Sequence, residues 1–382
     1  MESCDVLIIG AGSVGVPLAM YTAKKGLKTI VIEKNPSWGR GQNRAAIGGI
    51  RATHSDPAKI KICQESISIV SGLKNNYGLD VEWKSGGYLF AAYDKETQAA
   101  FRNLLKIQKA AGLNIDWIEA GRVSELCPGI NTDGLLGGTY SPEDGYASPL
   151  MTSTAFHRLA SEAGAEFRFS EKLLSIKSYS GRIVSVKTDK EDYSAGVLVN
   201  AAGADAAELG SLAGLDLPVY PDLHEGGVTE PCEHFMEPML VDIRPDDKSG
   251  NYYFYQAKTG QIVFCITPKP QIWGKECDSS SGFLPLVAKR MIKLYPRLKN
   301  LKVRRIWRGA YPMTPDGLPI VGYPKGIDNL LLAVGMCGQG FMLGPGLGKI
   351  LAETIDAGSN GYSQIFSELS LYRKFEGMEL LK

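Results

Sequence analysis

The chain has 382 residues, which is long for one small core and suits two domains. Hydrophobic residues make up 44% of it and charged residues 22%, the proportions of an ordinary globular protein. The 42 Lys and Arg residues balance 41 Asp and Glu residues, so a net charge of +1 gives no electrostatic basis for binding nucleic acid or an anionic membrane. The sequence has no apolar run of about 18 residues, the length that a transmembrane helix needs.

The sequence has neither a clear targeting signal nor a clear metal-binding pattern. The apolar pattern starts at Asp5 without a basic segment before it, so we predict no secretory signal. The seven cysteines include no C-x-x-C pair, which favours reduced thiols over disulfides or a zinc site. The four histidines are scattered along the chain. We therefore expect a cytoplasmic protein without a bound metal.

The first residues have the pattern of a strand, a glycine turn, a helix and a second strand. Val6–Ile9 is a continuous apolar run, typical of a parallel strand buried on both faces. It is followed by Gly10-Ala11-Gly12-Ser13-Val14-Gly15, a predicted helix over 16–25 and an apolar strand over 29–32 that ends at Glu33. This order of elements predicts a dinucleotide-binding unit.

Each part of this unit has a physical role. Gly10 allows a sharp turn after the strand, Gly12 leaves room for a pyrophosphate, and Gly15 lets the helix approach the strand. The N–H groups and the partial positive charge of the helix N-terminus favour a phosphate. Glu33 is placed to accept hydrogen bonds from a ribose hydroxyl. The alternative is a glycine turn that serves packing alone.

Residues 38–51 are glycine-rich and basic, with little hydrophobic periodicity, so we predict a loop that crosses the cofactor. Arg40 and Arg44 are candidates for phosphate contacts. Arg51 is a candidate for a bidentate pair with a substrate carboxylate. A solvated surface loop with incidental arginines is the alternative.

The next part of the chain alternates between helical and strand patterns. We predict helices over 57–77 and 95–111, a strand over 86–91, and a turn at 144–149 that precedes a further helix. Strand patterns then dominate, at 167–169, 173–176, 183–186 and 196–203, with a hairpin turn at 180–182.

The remaining residues change in character twice. Residues 218–300 contain aromatic strand patterns, notably Tyr252–Tyr255 and Gln261–Ile266, which predict an antiparallel sheet in a second domain. A strand over 331–335 and a glycine-rich loop over 336–346 then lead into a helix that we predict over 347–357.

Together these patterns resemble the D-amino-acid oxidase (DAO) superfamily of flavoenzymes, over essentially the whole chain. Within it, the branch that contains glycine oxidase, sarcosine oxidase and the β subunit of heteromeric L-proline dehydrogenase is the most similar. The Thr-Pro-Asp-Gly of the C-terminal part, together with Gly-x-Gly-Phe-Met, is specific to the superfamily and favours FAD over NAD. The stretches that carry the resemblance are Gly10–Gly15 with Glu33, Arg44–Arg51, Val197–Gly203, Trp307–Gly322 and Gly338–Leu343.

The resemblance implies an α/β (α+β) fold with a Rossmann-type FAD-binding domain. A second domain would cover the flavin with a mixed, largely antiparallel sheet. It assigns residues 1–85, 145–220 and 305–382 to the FAD-binding domain. Residues 86–144 and 221–304 would form the substrate domain.

The resemblance also implies which residues contact FAD. Gly338–Met342 would lie near the pyrimidine ring of the isoalloxazine, where N–H groups stabilise the negative charge of the reduced flavin. Leu173 matches a position whose backbone meets the adenine. The predicted cofactor-binding residues are Gly10, Gly12, Ser13, Val14, Gly15, Glu33, Lys34, Arg40, Gln42, Arg44, Ala45, Gly48, Gly49, Leu173, Ala202, Gly203, Gly309, Gly338, Gln339, Gly340, Phe341 and Met342.

Departures from the family pattern sharpen these expectations. A flavin-linking cysteine of sarcosine oxidase corresponds to Gly309, and a flavin-linking histidine of dimethylglycine dehydrogenase-like proteins corresponds to Arg44, so we predict non-covalent FAD. A carboxylate-binding arginine of glycine oxidase corresponds to Tyr311, which moves that role toward Arg51. An oxygen-activating lysine of sarcosine oxidase would fall near Phe264 or Cys265, and its absence favours a dehydrogenase over an oxidase. The predicted substrate-site residues are Arg51, His224, Tyr253, Tyr255 and Tyr311.

We therefore predict that the chain oxidises an amino acid or a secondary amine, such as proline, glycine or sarcosine, to its imine by hydride transfer to flavin N5. Its electron acceptor would be oxygen, a partner subunit or a membrane quinone, and a hetero- or homo-oligomer is expected. Two alternatives remain open. One is FAD-dependent oxidation of a hydroxy acid or glycerol phosphate, and the other is a flavin-holding subunit that has no activity alone.

Overall fold

The computed structural model describes residues 1–357, 361–377, 379 and 381. Its strands, in chain order, are β1 (Glu2–Ile9), β2 (Thr29–Glu33), β3 (Gly49–Ile50), β4 (Tyr88–Ala92), β5 (Asp116–Glu119), β6 (Gly137–Ser141), β7 (Gly145–Tyr146), β8 (Glu166–Phe169), β9 (Leu173–Tyr179), β10 (Arg182–Thr188), β11 (Asp192–Asn200), β12 (Tyr220–Pro231), β13 (Met239–Asp242), β14 (Ser249–Gln256), β15 (Gln261–Pro268), β16 (Val303–Met313), β17 (Ile320–Gly322) and β18 (Leu330–Val334). Its helices are α1 (Gly15–Lys24), α2 (Pro57–Tyr77), α3 (Lys95–Ala110), α4 (Ala120–Leu126), α5 (Pro149–Glu162), α6 (Ala206–Leu212), α7 (Phe283–Leu294), α8 (Gly340–Ala357) and α9 (Ser363–Glu368).

The first large sheet has the strand order β17-β18-β11-β1-β2-β8, and β9 and β10 extend it beside β11. Strand β1 runs parallel to both β2 and β11. Its successive side chains enter two different cores, Val6 and Ile8 one of them and Leu7 and Ile9 the other. Because both faces are covered, every position must be apolar, which explains the uninterrupted apolar run in the sequence.

Helix α2 begins and ends at the predicted residues because both of its ends are capped. The side chain of Asp56 accepts a hydrogen bond from the backbone N–H of Lys59 at 3.0 Å, and Pro57 occupies the first turn, where its missing N–H costs nothing. Gly78 ends the helix with φ at 70°, a left-handed conformation that glycine adopts without strain.

The prediction for α8 was wrong at its start, because the helix begins at Gly340 and not at 347. Its glycines and its internal Pro345 are poor helix formers by themselves. They are tolerated because the helix packs very closely on α1 and α2: a Cβ atom at Gly344 would lie 1.9 Å from the carbonyl oxygen of Ser13, and one at Gly346 would lie 2.2 Å from that of Ile62. Tertiary packing therefore decides where this helix starts.

The predicted loop over 38–51 is more regular than expected. It contains a short 3₁₀ helix, Gln42–Ala45, and its end forms strand β3, which pairs antiparallel with β7. A two-stranded pairing of this kind joins residues almost a hundred positions apart, and therefore leaves no periodic pattern in either segment.

The second large sheet has the order β16-β12-β15-β14-β13-β4-β6-β5, and it is antiparallel except where β13 runs parallel to β4. The mixed sheet confirms the predicted fold class. Helix α7 covers one face, where Phe254 and Phe264 join Val287 in a buried cluster. The predicted boundaries place most of β16 in the FAD-binding domain. In the structure, however, β16 pairs with β12, most of which was predicted to belong to the substrate domain. The division into domains stays a prediction.

Among the described residues, no helix combines the length and the apolar character that are needed to span a membrane.

Candidate active site

A cavity of about 1210 Å³ lies between the two large sheets. It exceeds the roughly 300–1,000 Å³ of ordinary small-molecule pockets, so it has room for an elongated ligand and a second, smaller molecule. Its wall contains all of the predicted site residues except Gly15 and Tyr255. The cavity is therefore lined by residues from both ends of the chain and from its middle.

The turn at the carboxyl end of β1 forms one end of the cavity. Gly10 has φ at 110°, and a Cβ atom there would lie 2.5 Å from the carbonyl oxygen of Ala201. A Cβ atom at Gly12 would meet nothing within 4 Å, whereas one at Gly15 would lie 1.9 Å from the carbonyl oxygen of Gly10. Gly12 thus leaves open space at the cavity wall, and Gly15 outside it permits close packing of α1 on the turn.

Glu33 stands beside this turn at the end of β2 and is 8% exposed. Its carboxylate accepts the backbone N–H of Ala11 at 2.9 Å and that of Asn35 at 2.9 Å. These bonds fix the carboxylate at the cavity wall, where its remaining lone pairs can accept from a sugar hydroxyl. The next residue, Lys34, forms an ion pair with Asp205 at the rim.

Residues 40–47 cross the cavity and are held by hydrogen bonds to the second sheet and to the turn after β1. Gln42 accepts the backbone N–H of Ala310 at 2.6 Å, and Trp307 donates its indole N–H to the carbonyl of Ala45 at 3.0 Å. The hydroxyl of Ser13 donates to Asn43 at 2.7 Å. Sequence reasoning missed Asn43, which carries no local signal of this long-range contact. Arg40 and Arg44, by contrast, lie in the wall as exposed residues.

Arg51 lies at the other end of the cavity and is 6% exposed. Its guanidinium donates to the backbone carbonyls of Thr53 and Leu381, and lies 3.2 Å from Nδ1 of His54. Burial and the charge of Arg51 hold the pKa of His54 well below its ordinary value, so this histidine is neutral. Since a guanidinium has five N–H donors, these contacts leave donors available for a ligand.

Asp144, another residue that sequence reasoning missed, fixes the backbone beside Arg51. Its carboxylate accepts the N–H of Ala52 at 2.8 Å and the hydroxyl of Thr53 at 2.5 Å. Burial raises the pKa of Asp144 to about 6, although these hydrogen bonds act to lower it. The turn at 144–149 was visible in the sequence, but its partner 92 residues away was not.

The second sheet supplies an aromatic and polar wall. The hydroxyl groups of Tyr253 and Tyr311 lie 3.1 Å apart, and the ring of His224 stacks on that of Tyr311 at 3.8 Å with the planes 16° apart. Burial raises the pKa of both tyrosines well above the ordinary value, so both remain neutral phenols. Tyr255 lies outside the cavity wall, and its hydroxyl donates a hydrogen bond to the carbonyl of Ile47 at 2.9 Å. This contact supports a role in holding the loop in place rather than a role in contacting the substrate.

The glycine-rich segment before α8 closes the cavity behind Tyr311. A Cβ atom at Gly338 would lie 2.2 Å from the Tyr311 ring, and its φ of 79° also favours glycine. The amide oxygen of Gln339, buried in the wall, finds no hydrogen-bond partner among the described residues. At the start of α8, the N–H groups of Gly340–Met342 have no carbonyl from a preceding helical turn, so they favour negative charge.

Cys277 is a further wall residue that was not predicted. It follows β15 in a loop that also brings Lys275 to the rim, where Lys275 pairs with Asp205 at 2.8 Å. Burial raises the pKa of Cys277, so the thiol form is favoured at neutral pH.

The residues present fit the FAD that the motifs imply. Open space at Gly12, a carboxylate at Glu33, backbone groups at Leu173 and Gly203, and the unsatisfied amide oxygen of Gln339 all lie in one wall. A dinucleotide lying along this wall would meet polar groups over its length and would leave the Arg51 end for a substrate.

Comparison with known proteins agrees with this geometry. The family model described as "DAO: FAD dependent oxidoreductase" matches residues 5–354. Mitochondrial dimethylglycine dehydrogenase of Rattus norvegicus is 27% identical over 391 residues, which cover 98% of this chain and 45% of that protein. The chain thus spans less than half the length of this relative.

Two further proteins match over most of their own length. Sarcosine oxidase subunit beta of Rhodobacter capsulatus is 24% identical and is covered to 89%, with 98% of this chain aligned. The crystal structure of L-proline dehydrogenase from P. horikoshii superposes with a TM-score of 0.90 and 29% identity, covering 97% of this chain and 98% of that one. Sarcosine oxidase and L-proline dehydrogenase are both named in the branch that the motifs indicate.

Proposed function

Because the chain belongs to the DAO family of FAD-dependent oxidoreductases, we propose that it oxidises an amino acid or a secondary amine to the corresponding imine. The observation that carries this proposal is the continuity of the cavity. It joins the glycine turn at Gly12 to the buried cation Arg51 and to the aromatic wall formed by Tyr253 and Tyr311. A cofactor and a carboxylate-bearing substrate can therefore meet in one space, where Arg51 is buried.

The residues proposed to bind the cofactor contact different parts of it, from the adenine to the flavin ring. The turn at Gly12 and the N-terminus of α1 bind the pyrophosphate, Glu33 binds the ribose, and the backbone at Leu173 meets the adenine. The N–H groups at the start of α8 face the flavin ring. Bound FAD supplies a two-electron acceptor for the hydrogen at the substrate Cα.

We propose that the FAD is held without a covalent bond. The two positions at which relatives carry a linking residue are Gly309 and Arg44, and neither is a nucleophile. Cys277, a thiol in the same wall, has its pKa raised by burial and is therefore a weak nucleophile at neutral pH.

The substrate step proposed for this chain is mainly one of positioning. Arg51 pairs with the substrate carboxylate, and the aromatic wall excludes water around the Cα–H bond. The family names suggest proline, glycine or N-methylated glycine as substrates, since the relatives named above act on such amines. Two aromatic rings take up space beside Arg51, those of Tyr88 and Phe90 at 5.9 Å and 5.3 Å from its guanidinium carbon, and they support a small substrate of this kind.

The electrons are proposed to leave through a partner rather than to oxygen. By the family resemblance, the oxygen-activating lysine of sarcosine oxidase would fall near Phe264 or Cys265, and both of these residues are buried. Neither side chain is a cation, so neither supplies a positive charge that would stabilise superoxide. A partner subunit or a membrane quinone is the acceptor that we propose.

The substitution Arg51→Ala tests the substrate role. With the amine that reduces the flavin, we expect KM to rise at least about 30-fold, the equivalent of roughly 2 kcal/mol for an unpaired carboxylate, while kcat changes less. Flavin content should stay near that of the unaltered protein. The matched control is Arg102→Ala, which removes an exposed arginine paired with Glu119. An unchanged KM in the Arg51 variant would remove the carboxylate role.

A further inference from the structure

Leu381 lies in the cavity wall at the Arg51 end, although it follows Arg51 by 330 residues in the chain. Its backbone carbonyl accepts a hydrogen bond from the Arg51 guanidinium, and the residue is 1% exposed. The carbonyl of Thr53 accepts a hydrogen bond from the other terminal nitrogen of the same guanidinium. Because both terminal nitrogens are bound to backbone groups, the place of the cation in the wall depends on where Leu381 lies.

A buried carboxylate fixes the backbone of Leu381. Glu379 accepts the backbone N–H of Leu381 at 3.4 Å and the hydroxyl of Ser55 at 2.6 Å, and it forms a buried ion pair with Lys59 at 2.8 Å. Its own backbone N–H donates to the carbonyl of Asp316 at 3.3 Å. These contacts join the segment to the start of α2 and to the loop after β16, so they hold Leu381 at a defined place in the wall.

The side chain of Leu381 belongs to a buried apolar cluster beside the cation. Tyr88, Phe90 and Val241 are members of the same cluster and also lie in the cavity wall. The rings of Tyr88 and Phe90 lie beside Arg51, and the strands that carry these three residues, β4 and β13, pair with each other. Leu381 therefore supplies a part of the apolar wall that the second sheet does not provide.

A ligand whose carboxylate pairs with Arg51 must fit the rest of its structure against this apolar wall. We propose that Leu381 is a specificity-determining residue, which limits the volume left for the group that the ligand carries beside its carboxylate. A pocket without room for one methylene discriminates by about 10–200-fold, and a change from leucine to alanine frees space for about three carbon atoms. This inference rests on the proposed function, in which Arg51 receives the carboxylate of the amine.

The first test measures binding and needs no turnover. The holoprotein is titrated calorimetrically with acetate, butyrate and 3-methylbutyrate, three carboxylates that share one charge and differ in bulk. In Leu381→Ala, the ratio of the dissociation constant of acetate to that of 3-methylbutyrate should rise at least about tenfold, because the freed space accepts the branched chain. Leu381→Val, which removes one methylene, should show an intermediate change and keeps the inference testable if Leu381→Ala does not fold.

The matched control is Leu104→Ala. Leu104 is a leucine of the same buried cluster, is 6% exposed and lies outside the cavity wall. Its truncation should lower stability, as a core substitution does, and leave the ratio of the dissociation constants unchanged. A ratio that stays fixed in the Leu381 variants, or that rises as much in Leu104→Ala, overturns the inference. Absence of carboxylate binding in the unaltered protein and in every variant overturns it too, together with the role of Arg51.

The reaction separates this inference from the function on which it rests. In anaerobic stopped-flow experiments, flavin reduction by glycine is compared with reduction by each isomer of leucine, and reduction by sarcosine with reduction by N-methylleucine. In Leu381→Ala, the specificity constant for the bulkier member of the reactive pair should rise at least about tenfold relative to that for the smaller one. If no amine reduces the flavin but the ratio for the carboxylates changes as expected, the amine oxidation fails and the size limit stands. If an amine reduces the flavin and that ratio stays fixed, the size limit fails and the proposed function stands.

Discussion

Gly12 and Gly15 stand three residues apart in one turn, yet a methyl group added to each would meet different surroundings. At Gly12 it would project into open space at the cavity wall, and at Gly15 it would overlap the carbonyl oxygen of Gly10. We therefore propose that the first glycine leaves room for the cofactor, whereas the second permits close packing within the fold. This contrast separates cofactor binding from packing within a single motif.

The pair Gly12→Ala and Gly15→Ala tests the contrast. We expect Gly12→Ala to leave the unfolding of the apoprotein unchanged and to weaken FAD binding roughly tenfold, or about 1.4 kcal/mol. Gly15→Ala should lower the apoprotein's stability by about 1–3 kcal/mol, because two backbones must move apart. Flavin titration and thermal melting of the apoprotein measure the two effects, and acid precipitation shows whether the flavin is released. Equal FAD affinity in Gly12→Ala and the unaltered protein would refute the pyrophosphate role.

At this scale, sequence reasoning recognised residues whose partners are near in the chain and missed those whose partners are far away. Gly10, Gly12 and Glu33 follow one another within one βαβ unit, so their spacing alone predicts their role. Asp144 acts on Ala52 and Thr53 from more than ninety positions away, and nothing in its own neighbourhood indicates that contact. His224 was predicted as a site residue, but its contact with Asp222 was not, although the two residues lie only two positions apart on β12.

The N-terminal end of α2 carries a buried ion pair with the C-terminal part of the chain. Lys59 and Glu379 lie 2.8 Å apart with both side chains fully buried, and the hydroxyl of Ser55 donates to the same carboxylate at 2.6 Å. Leu381, two residues further on, contacts Arg51 through its carbonyl. The ion pair therefore holds Glu379 against α2, two residues before the carbonyl that contacts Arg51 in the candidate substrate site.

Breaking this pair should be costly and dependent on pH. Burial alone would raise the pKa of Glu379, but Lys59 and Ser55 hold it at about 2, against an ordinary value of 4.5. A carboxylate with a lowered pKa in the folded state stabilises the fold above its unfolded pKa and loses this effect as the pH falls through its folded pKa. Glu379→Gln should therefore lower stability by about 3 kcal/mol at neutral pH, and the difference should shrink between about pH 4.5 and pH 2.

Thermal melting of the holoprotein across that pH range measures the effect. Asp80→Asn is the matched control, because Lys74 and Asp80 form an ion pair whose side chains are 65% and 45% exposed. Its loss should change stability by less than about 1 kcal/mol. A Glu379→Gln difference that is small, or that grows toward acid pH, would contradict the account of the buried pair.

Helices and strands were predicted well where local chemistry specifies them. Asp56, Pro57 and Gly78 mark both ends of α2, and its predicted bounds were correct. The start of α8 was predicted seven residues late, since glycine and proline normally oppose a helix and only contact with α1 and α2 overrides that preference. Strand β3 escaped prediction because its pairing with β7 is not local.

At the scale of the whole molecule, the two sheets come from interleaved segments of the chain. Strand β13 pairs with β4, which lies about 150 residues earlier, and β18 pairs with β11 across a similar gap. Periodicity identified several of these strands but not their neighbours in the sheets. The arrangement was foreseen only through the family resemblance, which the match over residues 5–354 confirms.

The cavity between the sheets leads to the central claim, that a flavin and an amine meet beside Arg51. The measurement that tests it most directly is anaerobic bleaching of the bound flavin's visible absorbance by a panel of substrates. The panel contains D-, L- and N-methyl amino acids, proline, hydroxyproline and glycerol phosphate. We predict that at least one amine bleaches the flavin, that glycerol phosphate does not, and that colour returns slowly when air is readmitted. Bleaching by glycerol phosphate or a hydroxy acid alone, or none by any amine while FAD is bound, would contradict the account.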